Sequence, residues 1–202
     1  MPRPSMRAQR SQEILAAYVR CVARFGLEGA TQERIADEAG VKRPLLRHYL
    51  GNREQMIESL TRYVADRFTQ ETRELEIALG ATGAPADLID KLFLSARASD
   101  ADLFLAYQAL VSAADSHPGM REPLVECFEQ FLRAVERILR RHRPHASASR
   151  IRAASHGIAA AYMAVDGFAP LNPPGQWRED LKAAAVMLIS IVDEDQPAIE
   201  AP

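Results

Sequence analysis

The residues of this sequence that are best suited to a chemical function form one short cationic segment between Glu38 and Glu54. The segment contains four Lys or Arg residues and no Asp or Glu between these two acids. Its basic and aromatic side chains at non-core helical positions are Lys42, Arg43, Arg47, His48, Tyr49 and Arg53. Solvated protein surfaces usually mix charges of both signs, whereas an unbroken cationic face is typical of surfaces that bind phosphates. The segment therefore predicts contact with a polyanion.

The charge of the whole chain hides this segment. The formal net charge of the 202 residues is −2, which by itself argues against a nucleic-acid partner. Residues 1–53, however, hold ten Lys and Arg against five Asp and Glu, so they carry +5 while the remainder carries −7. The basic residues 1–53 are therefore predicted to bind the polyanion, and the acidic remainder is predicted to be repelled by it.

Catalytic chemistry has weaker support. The side chains that could be recruited for metal binding or acid–base work are His117, His142, His145 and His156. The sequence contains no His-Glu-x-x-His motif, no glycine-rich phosphate loop and no Ser or Cys nucleophile motif. Cys21 and Cys127 lie in amphipathic stretches and are predicted to be core thiols. An enzyme remains an alternative class, but we expect no catalytic site, no metal and no cofactor.

The elements that must position the cationic segment are helices. Apolar residues recur at intervals of three and four almost everywhere, which predicts an all-α fold. The first helix is predicted to end near Gly26, the second to be capped by Thr31, and the third to run from about Lys42 to Tyr49. Asn52 and Gln55 resemble a capping box that starts a long fourth helix, and five more helices follow. The absence of a signal peptide and of a long apolar run predicts a cytosolic protein.

The second and third helices have the spacing of a helix-turn-helix. Such a motif needs a small residue where the helices touch, a glycine in the turn and an apolar anchor on the second helix. Ala36, Gly40 and Leu46 stand in that order at separations of four and six. A plain helical hairpin is equally compatible with this spacing, and the cationic decoration of the third helix favours the DNA-binding motif.

Residues 14–57 carry a dense set of short motifs. These are Ile14-Leu15-Ala16-Ala17, Phe25-Gly26, Thr31, Ile35-Ala36, Ala39-Gly40-Val41, His48-Tyr49 and Asn52-Arg53-Glu54. Together they resemble the N-terminal DNA-binding domain of the TetR family of bacterial transcriptional regulators. Arg47 and Leu50 depart from the family, which often has a tyrosine and a phenylalanine there; Arg47 still suits a phosphate and Leu50 a core position.

The resemblance implies a domain organisation. A three-helix, helix-turn-helix DNA-binding domain would occupy residues 1–53, with residues 1–9 as a flexible arm. A six-helix ligand-binding and dimerisation domain would occupy residues 54–192. Residues 193–202 are acidic, and we expect them to form a disordered tail.

The resemblance also implies roles for single residues on DNA. Thr31 would cap the second helix against a phosphate, while Lys42 and Arg43 would face base edges. Pro44 and Leu45 would touch thymine methyl groups. The phosphate anchors would be Arg47, His48, Tyr49 and Arg53, with Arg3, Arg7 and Arg10 of the arm adding charge or reaching a minor groove.

The same resemblance implies a dimer and an effector pocket. A homodimer through the last two helices would use Ile158, Ala161, Tyr162, Val165, Trp177, Leu181, Ala184, Leu188 and Ile191. These stripes could instead face the subunit's own core. A pocket would be lined by Tyr63, Phe68, Phe93, Phe104, Tyr107, Gln108, Phe128 and Phe131, although such aromatic stripes also form plain core.

These expectations favour one function. Besides an enzyme, one alternative function remains. We expect a dimeric, sequence-specific DNA-binding regulator that reads a palindromic operator and acts as a ligand-responsive repressor. The rival is a helical, dimeric small-molecule-binding protein without DNA recognition. The effector, the operator and the regulated genes are not specified by the sequence.

Overall fold

A computed structural model of the chain describes residues 6–94 and 101–192, and every regular element in these ranges is helical. The α-helices are α1 (Met6–Gly29), α2 (Gln32–Glu38), α3 (Arg43–Leu50), α4 (Arg53–Leu79), α5 (Pro85–Leu94), α6 (Ala101–Ala113), α7 (Arg121–His142), α8 (Ala148–Gly167) and α9 (Gln176–Ile191). Short 3-10 helices at Pro118–Met120 and Ala169–Leu171 precede α7 and follow α8. The all-α fold predicted from the sequence is confirmed.

The C-terminal part of α1 agrees with the sequence-based expectation, and its N-terminal end differs from it. The backbone leaves helical geometry at Gly26, where φ is 69° and ψ is 171°, close to the predicted end of the first helix. A positive φ of this size favours glycine. At the other end, Met6–Gln9 form the first turn of α1 instead of the predicted flexible arm, because Met, Arg, Ala and Gln are good helix formers. Arg3 and the acidic tail of residues 193–202 lie outside the described residues.

The chain divides into two compact units, and the divisions fall within α4 and α7. The first unit comprises residues up to 69 together with 99–127, and in it α1 packs against α6 as well as against α2 and α3. Its fully buried side chains include Ile14 and Tyr18 of α1, Ile35 of α2, Leu46 of α3 and Phe104 of α6. The predicted boundary at residue 53 stays a prediction.

The second unit comprises residues 70–98 and 128 onwards. Its core is built from the apolar faces of α5, the second half of α7, α8 and the inner face of α9. Gly157 of α8 lets α9 approach closely, because a Cβ placed there would lie 2.5 Å from Cδ1 of Leu188. Arg178 donates to the Phe93 carbonyl at 3.0 Å and Lys182 pairs with Asp90 at 3.0 Å, so two polar links fix α9 to α5.

Tyr18 is a polar side chain within the buried apolar face of α1. It is fully buried on α1, and its hydroxyl has no hydrogen-bond partner among the described residues. Burial raises the pKa of this phenol to about 12; Arg53 nearby opposes the shift, and Glu28 adds to it. A buried hydroxyl without a partner costs about 1–3 kcal/mol.

Tyr18→Phe is therefore expected to raise the free energy of unfolding by about 1 kcal/mol, because the ring packing is kept and the unsatisfied hydroxyl is removed. Chemical denaturation of the full chain measures the change. Tyr107→Phe is the matched control, since the Tyr107 hydroxyl donates to the Leu124 carbonyl at 3.5 Å and its removal should lower stability. A loss of stability in both variants would contradict the assignment.

Candidate nucleic-acid interface

The turn between α2 and α3 has the geometry that the sequence spacing predicted. Thr31 caps α2, its Oγ1 accepting from the backbone N–H of Arg34 at 3.3 Å. Gly40 has a φ of 62°, and the next residue's N–H returns to the Ala36 carbonyl at 2.9 Å. Ala36 and Leu46 are 2% and 0% exposed, so the small contact residue, the turn glycine and the apolar anchor are confirmed.

α3 separates an inner apolar face from an outer cationic face. Leu46 and Leu50 are buried, whereas the side chains of Lys42, Arg43 and Arg47 are exposed. Pro44 lies in the first turn of α3, where the absence of its N–H costs no helical hydrogen bond. The DNA-facing candidates Pro44, Leu45 and His48 are also exposed, and Tyr49 is half-buried with its ring edge-on to His48 at 5.3 Å.

The cations on the outer face of α3 are not neutralised by the rest of the described chain. Lys42, Arg43 and Arg47 form no ion pair with any described acidic residue, although Arg–Glu pairs are frequent elsewhere on the surface. A cluster of unpaired cations on an exposed helix attracts anions from solution. This is the electrostatic property that a DNA-reading helix requires.

Glu38, the acid that precedes the cationic segment in the sequence, pairs with arginines of α1. Glu38, the last residue of α2, accepts from Arg20 at 2.6 Å and from Arg24 at 3.3 Å. The hydrogen bond from Arg20 and the charges of both arginines lower the pKa of the Glu38 carboxyl. The cationic face is therefore not offset by its neighbouring carboxylate, and α2 is tied to α1 at the same time.

A second set of contacts fixes the start of α2. The Arg34 guanidinium donates to the Gly29 carbonyl at 2.8 Å and lies 4.4 Å from the ring centroid of Phe25. The Cys21 thiol, which is buried as predicted and whose pKa burial raises, donates to the Arg34 carbonyl at 3.5 Å. These contacts hold α2, and through it the orientation of α3, against α1.

The start of α4 contains the predicted capping box and an unpredicted ion pair. The Asn52 N–H donates to the Gln55 side chain at 3.0 Å, and the Gln55 N–H donates to the Asn52 side chain at 2.9 Å. Arg53 donates through Nη2 to the Glu28 carboxylate at 2.9 Å and to the Leu27 carbonyl at 3.3 Å. Arg53, which was predicted to bind a phosphate, thus already forms an ion pair with an acidic residue of the same chain.

The candidate effector residues separate into two groups. In the first unit the ring of Phe68 lies edge-on to Phe104 at 6.5 Å and to Tyr107 at 5.0 Å. Tyr63 and Gln108 of the same unit are half-buried. In the second unit Phe93 and Phe131 lie 6.3 Å and 5.9 Å from Tyr162, and Phe128 lies 6.4 Å from His156. Sequence reasoning did not place Tyr162 among these aromatics, because the contact joins distant helices.

The candidate dimer residues divide between core and surface. Ile158 and Ala161 are buried, and Tyr162, Val165, Leu181 and Leu188 pack partly buried against the same core. Six of the nine predicted residues therefore contribute to the subunit's own core. Trp177, Ala184 and Ile191 are exposed, as are Val186 and Met187, which the spacing did not select. The inner face of α9 includes Ala185 and Ile189 beside the predicted Leu181 and Leu188.

The described part of the chain contains neither a metal-binding cluster nor a helix that could span a membrane. Within residues 6–94 and 101–192, no group of three His, Cys, Asp or Glu side chains is arranged to hold a metal ion. Across the same ranges, no helix combines the length and the apolar character needed to cross a bilayer.

Comparison with known proteins agrees with this geometry. Residues 14–60, which contain α2, α3 and the start of α4, match the family of bacterial regulatory proteins named for TetR. Residues 14–60 form a domain of the TetR family. The resemblance inferred from the short motifs of residues 14–57 is confirmed over nearly the same range.

Curated relatives match the chain over its N-terminal part. The HTH-type transcriptional regulator BetI of Brucella anthropi is 32% identical over 89 residues, which are 44% of this chain and 44% of that protein. The HTH-type transcriptional repressor AcnR of Corynebacterium efficiens is 36% identical over 63 residues, or 31% of this chain and 34% of that protein. The chain thus matches less than half the length of either relative.

Solved structures extend the likeness of fold to most of the chain. A TetR-family transcriptional regulator from Rhodococcus sp. superposes with a TM-score of 0.72 at 20% identity, covering 92% of this chain and 100% of that one. A TetR transcription regulator from Haloarcula marismortui gives a TM-score of 0.71 at 17% identity, covering 91% and 97%. The helices beyond the DNA-binding motif therefore follow the fold of TetR-family proteins.

Proposed function

We propose that this protein is a sequence-specific DNA-binding transcriptional regulator that acts as a homodimer and as a ligand-responsive repressor. The observation that carries the proposal is the exposed face of α3, where Lys42, Arg43 and Arg47 have no acidic partner among the described residues. The TetR-family domain of residues 14–60 and the regulator and repressor names of the curated relatives support it.

The position of each cation along α3 suggests its role. The N-terminal residues of a recognition helix reach the base edges, and later residues meet the backbone. Lys42 and Arg43 are at the N-terminus of α3 and are assigned to bases, with Arg43 suited to a bidentate contact with guanine. Arg47 lies one turn further on and is assigned to a phosphate, together with His48, Tyr49 and, at the start of α4, Arg53. Thr31 keeps its hydroxyl proton available for a further phosphate.

The homodimer is proposed to form through the outer face of α9 with adjoining parts of α8. Its exposed apolar side chains are Trp177 (44%), Val186 (50%), Met187 (63%) and Ile191 (52%), with Ala184 between them. A contiguous exposed apolar face on a helix favours a protein interface. The two-fold symmetry of a dimer would present two α3 helices to a pseudo-palindromic operator.

Repression is proposed to be relieved by a small apolar molecule. Phe68, Phe104 and Tyr107 would contribute apolar surface, and Gln108 would orient the molecule, since the Tyr107 hydroxyl is already engaged with the Leu124 carbonyl. Such a molecule binds better to a conformation that cannot bind DNA. It must therefore weaken DNA binding, and DNA must weaken the binding of the molecule by the same factor. We propose no catalytic activity and no cofactor.

The assignment of base and phosphate contacts is tested by a matched pair of variants. Arg43→Ala is expected to lose about 1–3 kcal/mol of binding at particular base pairs. Arg47→Ala removes the same charge from the same helix and should weaken all duplexes alike, reducing the salt slope by about one. Binding isotherms on an operator selected from random DNA, and on its single-base variants, measure both effects. A uniform loss for Arg43→Ala would contradict its assignment to bases.

The selection of bound fragments from random DNA also tests the function as a whole. Enrichment of a palindromic sequence by the purified full chain is the expected result. Failure to enrich any sequence at low salt, together with a stable dimer, would favour the rival function of a helical small-molecule-binding protein without DNA recognition.

A further inference from the structure

The ion pair between Arg53 and Glu28 is the feature that the proposed contacts with DNA leave unexplained. Arg53 is the first residue of α4, and Glu28 follows the break at Gly26 near the end of α1. The two side chains are 39% and 81% exposed, so the pair lies at the surface and is accessible to solvent ions. Of the two, Glu28 is the more exposed.

The break at Gly26 produces this arrangement. After Gly26 the chain turns, and Leu27 is buried at 5% exposure while its carbonyl accepts from Arg53 Nη2. The same Nη2 also donates to Glu28. Two acceptors, the Leu27 carbonyl at 3.3 Å and the Glu28 carboxylate at 2.9 Å, therefore share one guanidinium nitrogen, and only the carboxylate adds a negative charge there.

From this geometry we infer that Glu28 competes with DNA phosphate for Arg53 and so limits the sequence-independent affinity of the protein. The inference rests on the proposed DNA-binding function. A phosphate that takes the guanidinium fork through two parallel hydrogen bonds must displace Glu28 from Nη2 or accept fewer contacts. If the phosphate does not displace Glu28, the negative charge of the nearby carboxylate repels it.

The competition has a distinct signature in salt dependence. DNA binding releases the cations condensed on phosphates, and each neutralised phosphate steepens the dependence of affinity on salt by about 0.9. When Arg53 leaves Glu28 for a phosphate, the freed carboxylate attracts a cation again. The net release is then smaller in the wild-type chain than in a chain that lacks the carboxylate.

Glu28→Gln is expected to bind a short duplex of random sequence about two- to fivefold more tightly than the wild type, the range set by an exposed ion pair. The salt slope should steepen by up to about one. Glu58→Gln is the matched control: Glu58 pairs with Arg62 at 3.0 Å on α4, and neither residue is assigned to DNA. This control should change affinity by less than the Glu28 variant does.

A double-mutant cycle identifies Arg53 as the intermediary. In an Arg53→Gln background, Glu28→Gln should gain no more than the Glu58 control, because no guanidinium remains to be released. Thermal unfolding of each variant verifies that the fold is kept. Unchanged or weaker binding by Glu28→Gln, or an equal gain without Arg53, would overturn the inference alone. Absence of DNA binding by the folded wild-type chain at low salt would overturn the proposed function as well.

Discussion

Leu46→Ala is expected to lower the free energy of unfolding of the full chain by about 2–5 kcal/mol, because it opens a cavity beneath α3. Leu46 is 0% exposed and is the main apolar anchor of an eight-residue helix. So short a helix has little stability of its own and depends on such packing. Chemical denaturation measures the loss.

The neighbouring leucine provides the control. Leu45→Ala makes the same change one residue earlier, on the outer face, where the side chain is 39% exposed. Its effect on unfolding should stay below about 1 kcal/mol, since little apolar area is lost from the core. Equal losses for the two variants would mean that α3 is not anchored through Leu46.

Leu46→Ala should also weaken DNA binding, because it disturbs the orientation of α3. If Leu46 no longer fixes α3 against α1 and α2, Arg43 is less often in a position to reach base edges. Affinity for the operator should then fall more than affinity for random DNA, because phosphate contacts tolerate small shifts and base contacts do not. Comparing the two duplexes separates loss of orientation from loss of charge.

The helix-turn-helix was predictable because local chemistry determines it. Thr31, the Asn52–Gln55 pair and Gly40 each satisfy a requirement of their own backbone neighbourhood, within three or four residues. Leu46 and Leu50 fall on one face of α3 by helical periodicity alone. The structure therefore confirms the individual cap, turn and anchor residues that the sequence predicted, as well as the fold class.

The contacts between elements were not predictable in the same way. Arg53 and Glu28 are 25 residues apart, and no spacing rule joins them. The family resemblance therefore assigned Arg53 only to a phosphate. Tyr162 likewise meets Phe93 and Phe131 from other helices. Such pairs depend on how helices pack, which a single sequence constrains weakly.

The dimer residues predicted on α9 divide between core and surface, because more than one apolar stripe fits the helical spacing. α9 contains three consecutive alanines at 183–185 and adjacent apolar pairs at 188–189 and 191–192, so two stripes about one residue apart fit the same helical spacing. The structure buries the stripe that includes Ala185 and leaves Met187 and Ile191 outside. The exposed residues on the outer face of α9 are those that we propose for the dimer interface.

Met187→Glu is expected to convert the proposed dimer into a monomer and to reduce operator affinity by at least about 100-fold, the lower end of the gain from linking two sites. Met187 is 63% exposed on the outer face of α9, and a carboxylate placed in an apolar interface loses its hydration without gaining a partner. Sedimentation at micromolar concentration measures the assembly, and binding isotherms measure the affinity.

Ile77→Glu provides the control for this change. Ile77 is an apolar side chain on α4 with 78% exposure, so the substitution adds the same charge at a site outside the proposed interface. It should leave both assembly and operator affinity unchanged. A Met187→Glu chain that stays dimeric would place the interface elsewhere. A monomer that keeps wild-type operator affinity would mean that one α3 suffices, because only a protein that reads two half-sites loses affinity when its subunits separate.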